Sequence, residues 1–142
     1  MKANYHDAKL ILKLYDLRRE PRLREARRWF AASFKPKTYD EFTALCPPGS
    51  DTNASYRMVA TYWELVASLL TSGVLNRELF YQSGREMLLV WERVRDIAPA
   101  VRAGNKNPRE WRNLELAATA YIKWWHKAAP GAYEAFSKRV RG

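Results

Sequence analysis

The chain has 142 residues and a formal net charge of +10, with 25 lysines and arginines against 15 acidic side chains. Hydrophobic residues make up 47% of the chain and aromatic residues 13%, which excludes a disordered protein and allows a core that needs no disulfide or metal. The single cysteine, Cys46, excludes an internal disulfide and a cysteine-rich metal site.

The first predicted elements are two basic helices that form a helical hairpin region over residues 7–34. Leucines recur at helical spacing up to Leu17, and a second apolar set restarts out of phase after Pro21. Proline is accommodated at the first position of a helix but not in its interior. We therefore predict one helix over residues 7–19 and another over residues 21–33.

The segment 35–53 is predicted to be a loop that carries one short helix. Thr38 and Glu41 have the spacing of a capping box, in which two side chains satisfy backbone N–H groups at a helix start. This spacing predicts a helix over residues 39–45, ended by the turn-forming sequence Pro47–Gly49.

Residues 54–127 hold the predicted core helices. The strongest apolar stripe in the chain predicts a helix over residues 54–72, with Gly73 as its left-handed C-terminal residue. Another stripe predicts a helix over residues 84–98. An Asn-Pro pair at Asn107 then predicts the cap and the first position of the last long helix.

The chain ends in a predicted short helix over residues 131–140. No stretch alternates with the period of a strand, and no internal repeat is present. The predicted fold class is all-α, with one domain over residues 1–142. It is a helical bundle of about four main helices plus short ones, without a sheet.

Positive charge is concentrated towards both ends of the chain. Residues 1–34 carry +5, residues 35–84 carry −1 and residues 85–142 carry +6. Such a distribution attracts anionic partners over a long range, but it does not choose between nucleic acid, an acidic protein and a lipid surface.

The segment LRREPRLREARRWF, residues 17–30, holds six arginines. The favoured interpretation is a solvated helix face with ordinary glutamate–arginine pairs three or four residues apart. The alternative is a surface that contacts phosphates, because each neutralised phosphate releases counterions. The candidate anion or nucleic-acid contacts are Arg18, Arg22, Arg24, Arg28, Arg109 and Arg112.

Two acidic side chains on predicted helices have different expected environments. Glu64 shares its helix face with small and polar residues, so a second helix can approach and bury it. It is the candidate buried acid, and a structural ion pair or plain exposure is the favoured alternative to a functional role. Glu92 is predicted to lie on the surface.

The sequence contains no recognisable catalytic constellation. It has only two histidines, and it lacks the Glu-x-x-His pairs of helical di-iron sites, a phosphate-binding loop and a nucleophile motif. We therefore expect no metal, no cofactor and no small-molecule substrate, and a protein that is not an enzyme.

Three segments together resemble a known family. REPRLREARRWF matches an early proline followed by a basic helix, and YRMVATYWELVASLLTSGVLNRELF matches an aromatic-aromatic-glutamate helix with a Gly-Val-Leu turn. LLVWERVRDIAPAVR, followed by an Asn-Pro helix start, completes the pattern. Over about residues 10–125 the chain is similar to the bacterial proteins of domain of unknown function 4760.

The resemblance implies an α-helical fold and no established activity, so it carries over no site residue. Many family members look membrane-anchored by an N-terminal hydrophobic helix, whereas Met1–Leu10 is polar in this chain. The sequence also lacks a run of about 20 apolar residues, the length of a membrane span. We therefore expect a cytoplasmic protein.

The favoured function is a protein-interaction or scaffold module with basic surfaces, whose partner is another protein or a second copy of the chain. The alternative is binding of nucleic acid through its phosphate backbone. A third hypothesis, which is less favoured, is peripheral membrane contact through the weakly amphipathic residues 8–19.

Overall fold

Local capping explains where most helices of this protein begin. The computed structural model describes residues 1–142 and contains α-helices but no strand, which confirms the predicted all-α fold class. The helices are α1 (Tyr5–Arg18), α2 (Pro21–Ser33), α3 (Tyr39–Leu45), α4 (Asp51–Thr71), α5 (Arg77–Tyr81), α6 (Arg85–Val94), α7 (Ala98–Gly104), α8 (Arg112–Ala128) and α9 (Ala132–Arg141).

The break between α1 and α2 lies at the predicted position. Pro21 opens α2, and the Glu20 carboxylate accepts a hydrogen bond from the backbone N–H of Leu23 at 2.9 Å. Helix α1 begins slightly earlier than predicted, because Asn4 and Asp7 form a reciprocal capping box.

The short helix α3 has the predicted bounds, but its capping differs in one contact. The Thr38 hydroxyl accepts from the Glu41 N–H at 3.1 Å, as expected of the first half of a capping box. The Glu41 carboxylate accepts from the Lys37 N–H at 2.8 Å instead of from the Thr38 N–H.

Helix α4 is the centre of the fold and packs against both α2 and α8. It starts three residues before the predicted position, because the Ser50 hydroxyl accepts from the Asn53 N–H and caps the first turn. Its apolar stripe is fully buried at Trp63 and Val66. The glycine after the helix, Gly73, has a φ of 81° as predicted.

The helix predicted over residues 84–98 is wrong at its C-terminal end. Helix α6 ends at Val94, and a separate helix, α7, follows. Pro99 lies in the first turn of α7, so this proline helps to start a helix rather than to stop one.

The predicted start of the last long helix at Asn107 is also wrong. The Asn107 side chain accepts from the Arg109 N–H at 3.0 Å within a turn, and α8 begins only at Arg112. Trp111 separates the turn from the helix with a left-handed φ of 56°. Its buried ring packs edge-on against Tyr56, with ring centroids 6.0 Å apart.

The last helix, α9, agrees with the predicted terminal helix over residues 131–140. It follows Gly131, which has a φ of 88°, and it packs against α6 and α8. None of the helices is both long enough and apolar enough to cross a bilayer.

Candidate interaction surface

Three of the candidate arginines lie exposed on one helix. Arg22, Arg24 and Arg28 are exposed on α2, and none of them forms an ion pair. Their charges are therefore available to a partner.

Arg18 differs from these three because it is partly buried. Its Nη2 lies 3.6 Å from the Glu86 Oε1, and its guanidinium packs over the rings of Tyr15 and Trp63, 4.5 and 5.3 Å from their centroids. Ion pairing and cation–π contact thus occupy Arg18 within the fold.

Arg27, which is not one of the candidate arginines, also binds Glu86. Its Nε and Nη2 donate to the two carboxylate oxygens at 2.7 and 2.8 Å, and this hydrogen bonding raises the pKa of Arg27 against the opposing effect of burial. The Trp63 Nε1 also donates to Glu86, at 3.2 Å. The cluster links α2 to α4 and α6, which indicates a structural role.

The other two candidate arginines lie around the start of α8. Arg112 contacts Glu115 at 3.4 Å, and Arg109 is exposed without an ion pair. No hydrogen bond or ion pair joins either residue to α2. The structure therefore places Arg22, Arg24 and Arg28 on one helix, and it shows no contact between these residues and Arg109 or Arg112.

Helix α1 exposes four large apolar side chains, Tyr5, Leu12, Tyr15 and Leu17. Leu17, the last leucine of the stripe predicted for the first helix, is exposed, whereas Leu14 is buried. The Arg18 carbonyl at the end of α1 accepts from Arg27 of α2 at 3.1 Å, so the two helices adjoin there. We define the α1–α2 surface as Tyr5, Leu12, Tyr15, Leu17, Arg22, Arg24 and Arg28.

Glu64, the candidate buried acid, is half-buried and caps α8. Its carboxylate accepts from the Leu114 N–H at 2.8 Å, and from the Asn113 side chain and N–H at 2.8 and 3.3 Å. A carboxylate is favourable at this position because the first N–H groups of a helix lack internal partners and carry a partial positive charge. The role is helix capping rather than an ion pair or plain exposure.

The prediction that Glu92 lies on the surface is wrong, since the residue is only 1% exposed. Its carboxylate accepts from Arg95 and from the Tyr133 hydroxyl, both at 3.1 Å, and from the Ser137 hydroxyl. Burial, followed by the charge of Glu92, raises the pKa of Tyr133. Helix α9 thus covers an acid that would otherwise face water.

The next residue, Arg93, is buried without a carboxylate partner. It donates to four backbone carbonyls at 2.6 to 3.2 Å, and burial lowers its pKa. These carbonyls lie at the C-terminal ends of two helices, where backbone carbonyls run out of helical N–H partners. They belong to Phe30, Ala31 and Phe34 at the end of α2 and to Val140 of α9. The Phe30 carbonyl also accepts from the Phe34 N–H at 3.0 Å, so Arg93 is its second donor.

Internal contacts engage many of the acidic side chains. Backbone N–H groups donate to Asp7, Glu20, Glu41 and Glu64. Arginines pair with Glu86, Glu92, Asp96 and Glu115. Several exposed arginines have no acidic partner, among them Arg22, Arg24, Arg28 and Arg109.

The remaining reactive groups are dispersed. No group of three or more histidine, cysteine or acidic side chains is arranged to hold a metal ion. Cys46 is buried, and burial raises the pKa of its thiol to about 11. A crevice beside Arg18 has a volume of about 10 Å³, which is room for one water molecule.

Comparison with known proteins identifies a family. The model of the Domain of unknown function (DUF4760) matches residues 5–130, which include α1 to α8 but not α9. No curated protein and no solved structure matches the chain. Because the matched residues make up most of its length, the chain belongs to the DUF4760 family.

Proposed function

We propose that the protein is a non-enzymatic interaction module that binds another protein through the α1–α2 surface. The observation that carries this proposal is the combination of exposed tyrosine and leucine side chains on α1 with unpaired arginines on α2. On α1, Tyr5 is 73% exposed and Leu12 is 69% exposed. Protein interfaces are enriched in aromatic residues and arginine, and grouped apolar side chains on a surface mark docking sites.

The charge of the surface favours an acidic partner. Arg22, Arg24 and Arg28 would be opposed by carboxylates, and the excess positive charge of the whole molecule would accelerate the encounter. The apolar side chains would supply the buried centre of the contact, because arginine and aromatic anchors dominate the binding free energy of most interfaces.

The test is to capture a partner on the immobilised 142-residue chain, purify the partner, and measure its affinity by calorimetry. Leu12→Ser and Arg24→Glu should each weaken binding by roughly tenfold or more. Leu116→Ser is the matched control, because Leu116 is a leucine of α8 that is 45% exposed and lies outside the α1–α2 surface. Equal affinities for Leu12→Ser and the wild type would refute the proposed surface.

A second candidate function is binding of nucleic acid through its phosphates. The supporting observation is that Arg22, Arg24, Arg28 and Arg109 are exposed without ion pairs. Each phosphate contact contributes about one unit to the slope of log K against log salt concentration.

The discriminating measurement is the binding of short DNA and RNA across a salt series. If α2 contacts phosphate, replacing either Arg24 or Arg28 alone by glutamate should weaken binding and lower the salt slope by about one. Arg139→Glu changes the net charge in the same way on α9. An equal effect of Arg139→Glu would show that net charge, rather than α2, determines binding.

A further inference from the structure

A small set of contacts holds helix α9 against α6 and α8. It follows α8 after the connection 129–131, and it lies outside the residues matched to the family. Its two apolar anchors, Phe136 and Val140, are buried. The Phe136 ring lies 5.6 Å from the ring of Trp125 on α8.

The groove that receives α9 recognises it through hydrogen bonds and an ion pair. Glu92 accepts from the hydroxyls of Tyr133 and Ser137. At the far end, Arg141 pairs with Asp96 at 2.8 Å. The groove therefore selects a helix with hydroxyls and a terminal arginine at defined positions.

Removal of α9 from this groove would leave polar groups without hydrogen-bond partners and apolar side chains exposed to water. Without α9, Glu92 would lose both hydroxyl donors, and Arg93 would lose the Val140 carbonyl that it contacts at 2.6 Å. Phe136 and Val140 would also become exposed. Since uncovering these groups is costly, α9 leaves the groove readily only where an equivalent helix replaces it.

We propose that the groove on α6 and α8 is a helix-binding site that also accepts α9 of a second copy of this chain, so that two copies associate by exchanging α9. Every contact described above is then remade between copies, and only the turn at residues 129–131 changes. Fully extended, these three residues span at most roughly 10 Å, which brings the C-terminal ends of the two α8 helices close together. This association uses other elements than the α1–α2 surface and does not rest on the proposed function.

The turn controls the balance between the closed monomer and the exchanged dimer. Gly131 has a φ of 88°, which a residue with a Cβ adopts only at a cost in free energy. A Cβ added at Gly131 would meet nothing within 4 Å, so Gly131→Ala strains the closed turn without creating a clash. Opening the turn releases this strain in both copies of a dimer.

The first test compares Gly131→Ala with the wild type by sedimentation equilibrium over a range of protein concentrations. We expect the dimer association constant to rise roughly tenfold or more. Gly49→Ala is the matched control, since Gly49 has a φ of 82° and equally open surroundings but precedes α4. A monomer at every concentration for Gly131→Ala, or the same increase for Gly49→Ala, would overturn the proposal.

The second test uses the Asp96–Arg141 pair, whose side chains are 29% and 25% exposed. In the closed monomer of Asp96→Arg, two arginine side chains meet at this position. In the closed monomer of Arg141→Asp, two aspartate side chains meet there. When the two variants are mixed, exchange of α9 restores one original pair and creates one reversed pair.

Native mass spectrometry of the mixture, with one variant isotopically labelled, should detect a heterodimer. We expect its dissociation constant to be roughly tenfold lower than that of either homodimer. Circular dichroism of each variant alone establishes that it is folded. A mixture that contains no more heterodimer than random association of the two variants predicts would contradict exchange.

Discussion

Single charged side chains complete the ends of several helices in this protein. Glu64 of α4 accepts from the first N–H groups of α8, and Arg93 of α6 donates to the last carbonyls of α2 and to Val140 of α9. Both ends of a helix have backbone groups without internal partners and carry partial charge, positive at the start and negative at the end. The sign of each side chain matches the helix end that it contacts.

Glu64→Ala should lower the free energy of unfolding by about 1–2 kcal/mol, because α8 loses its only side-chain cap from another helix. Glu64→Gln should cost less, since its amide oxygen can still accept one hydrogen bond. Urea denaturation followed by circular dichroism measures both changes. An unchanged midpoint for Glu64→Ala would show that water caps α8 equally well.

The sequence alone could not assign the roles of Glu64 and Glu92. Both residues occur in ordinary helical patterns, and their partners lie far away along the chain. Asn113 is 49 residues from Glu64, and Ser137 is 45 residues from Glu92. A local pattern identifies the helix that carries an acid, but the burial of the acid depends on which helix packs over it.

At the scale of helices, a local cap identified some helix starts but not all of them, since α1 and α4 have local caps and still begin before their predicted positions. Helices α2 and α3 have local caps, Glu20 and Thr38, and their bounds agree with the prediction. Helix α8 lacks a local side-chain cap, and its start was predicted too early. The Asn107 pattern was a sound local signal, but burial of Trp111 in a left-handed conformation displaces the helix start.

The turn between α5 and α6 depends on the absence of a side chain at Gly84. A Cβ there would lie 2.2 Å from the Phe80 Cε2, and Phe80 is buried. Gly84→Ala should therefore lower the free energy of unfolding by about 1–3 kcal/mol through overpacking. Gly104→Ala is the control, since its nearest contact is the Tyr39 hydroxyl at 3.4 Å. Equal stability of the two variants would contradict this explanation.

At the scale of the whole molecule, internal contacts engage many of the acidic side chains, while several arginines, Arg22, Arg24 and Arg28 among them, are exposed without an ion pair. The sequence establishes the surplus of positive charge, because this surplus follows from the amino-acid composition. It does not establish which arginines are free: Arg18 and Arg24 lie in the same arginine-rich segment, yet only Arg18 contacts Glu86. The candidate surface could therefore be predicted as a region but not residue by residue.

Stability of the whole molecule should fall in alkaline solution. Burial raises the pKa of Cys46 to about 11, and those of Tyr62 and Tyr121 to about 12. The unfolded chain releases these protons from about pH 9 to 10, whereas the folded chain retains them to higher pH. The unfolded state then binds fewer protons, so the free energy of unfolding decreases as pH rises above 9.

Urea denaturation at pH 7, 9 and 11 measures this decrease, and ultraviolet absorbance reports tyrosinate formation. In Tyr62→Phe, one contributing group is absent, so the loss of stability between pH 9 and pH 11 should be smaller than in the wild type. A free energy of unfolding that is constant up to pH 11 would be incompatible with the raised pKa values.

The position of Arg93 in the chain has a consequence for protein synthesis. Val140, whose carbonyl Arg93 contacts, is made 47 residues later. At roughly 5–20 residues per second, a ribosome needs about 2–10 s to translate that interval. During this time the nascent chain lacks the helix that covers Glu92, although the three α2 carbonyls that accept from Arg93 have already been made. Slow codons after residue 130 would prolong the stage at which a newly made copy presents this face to chaperones and to other nascent chains.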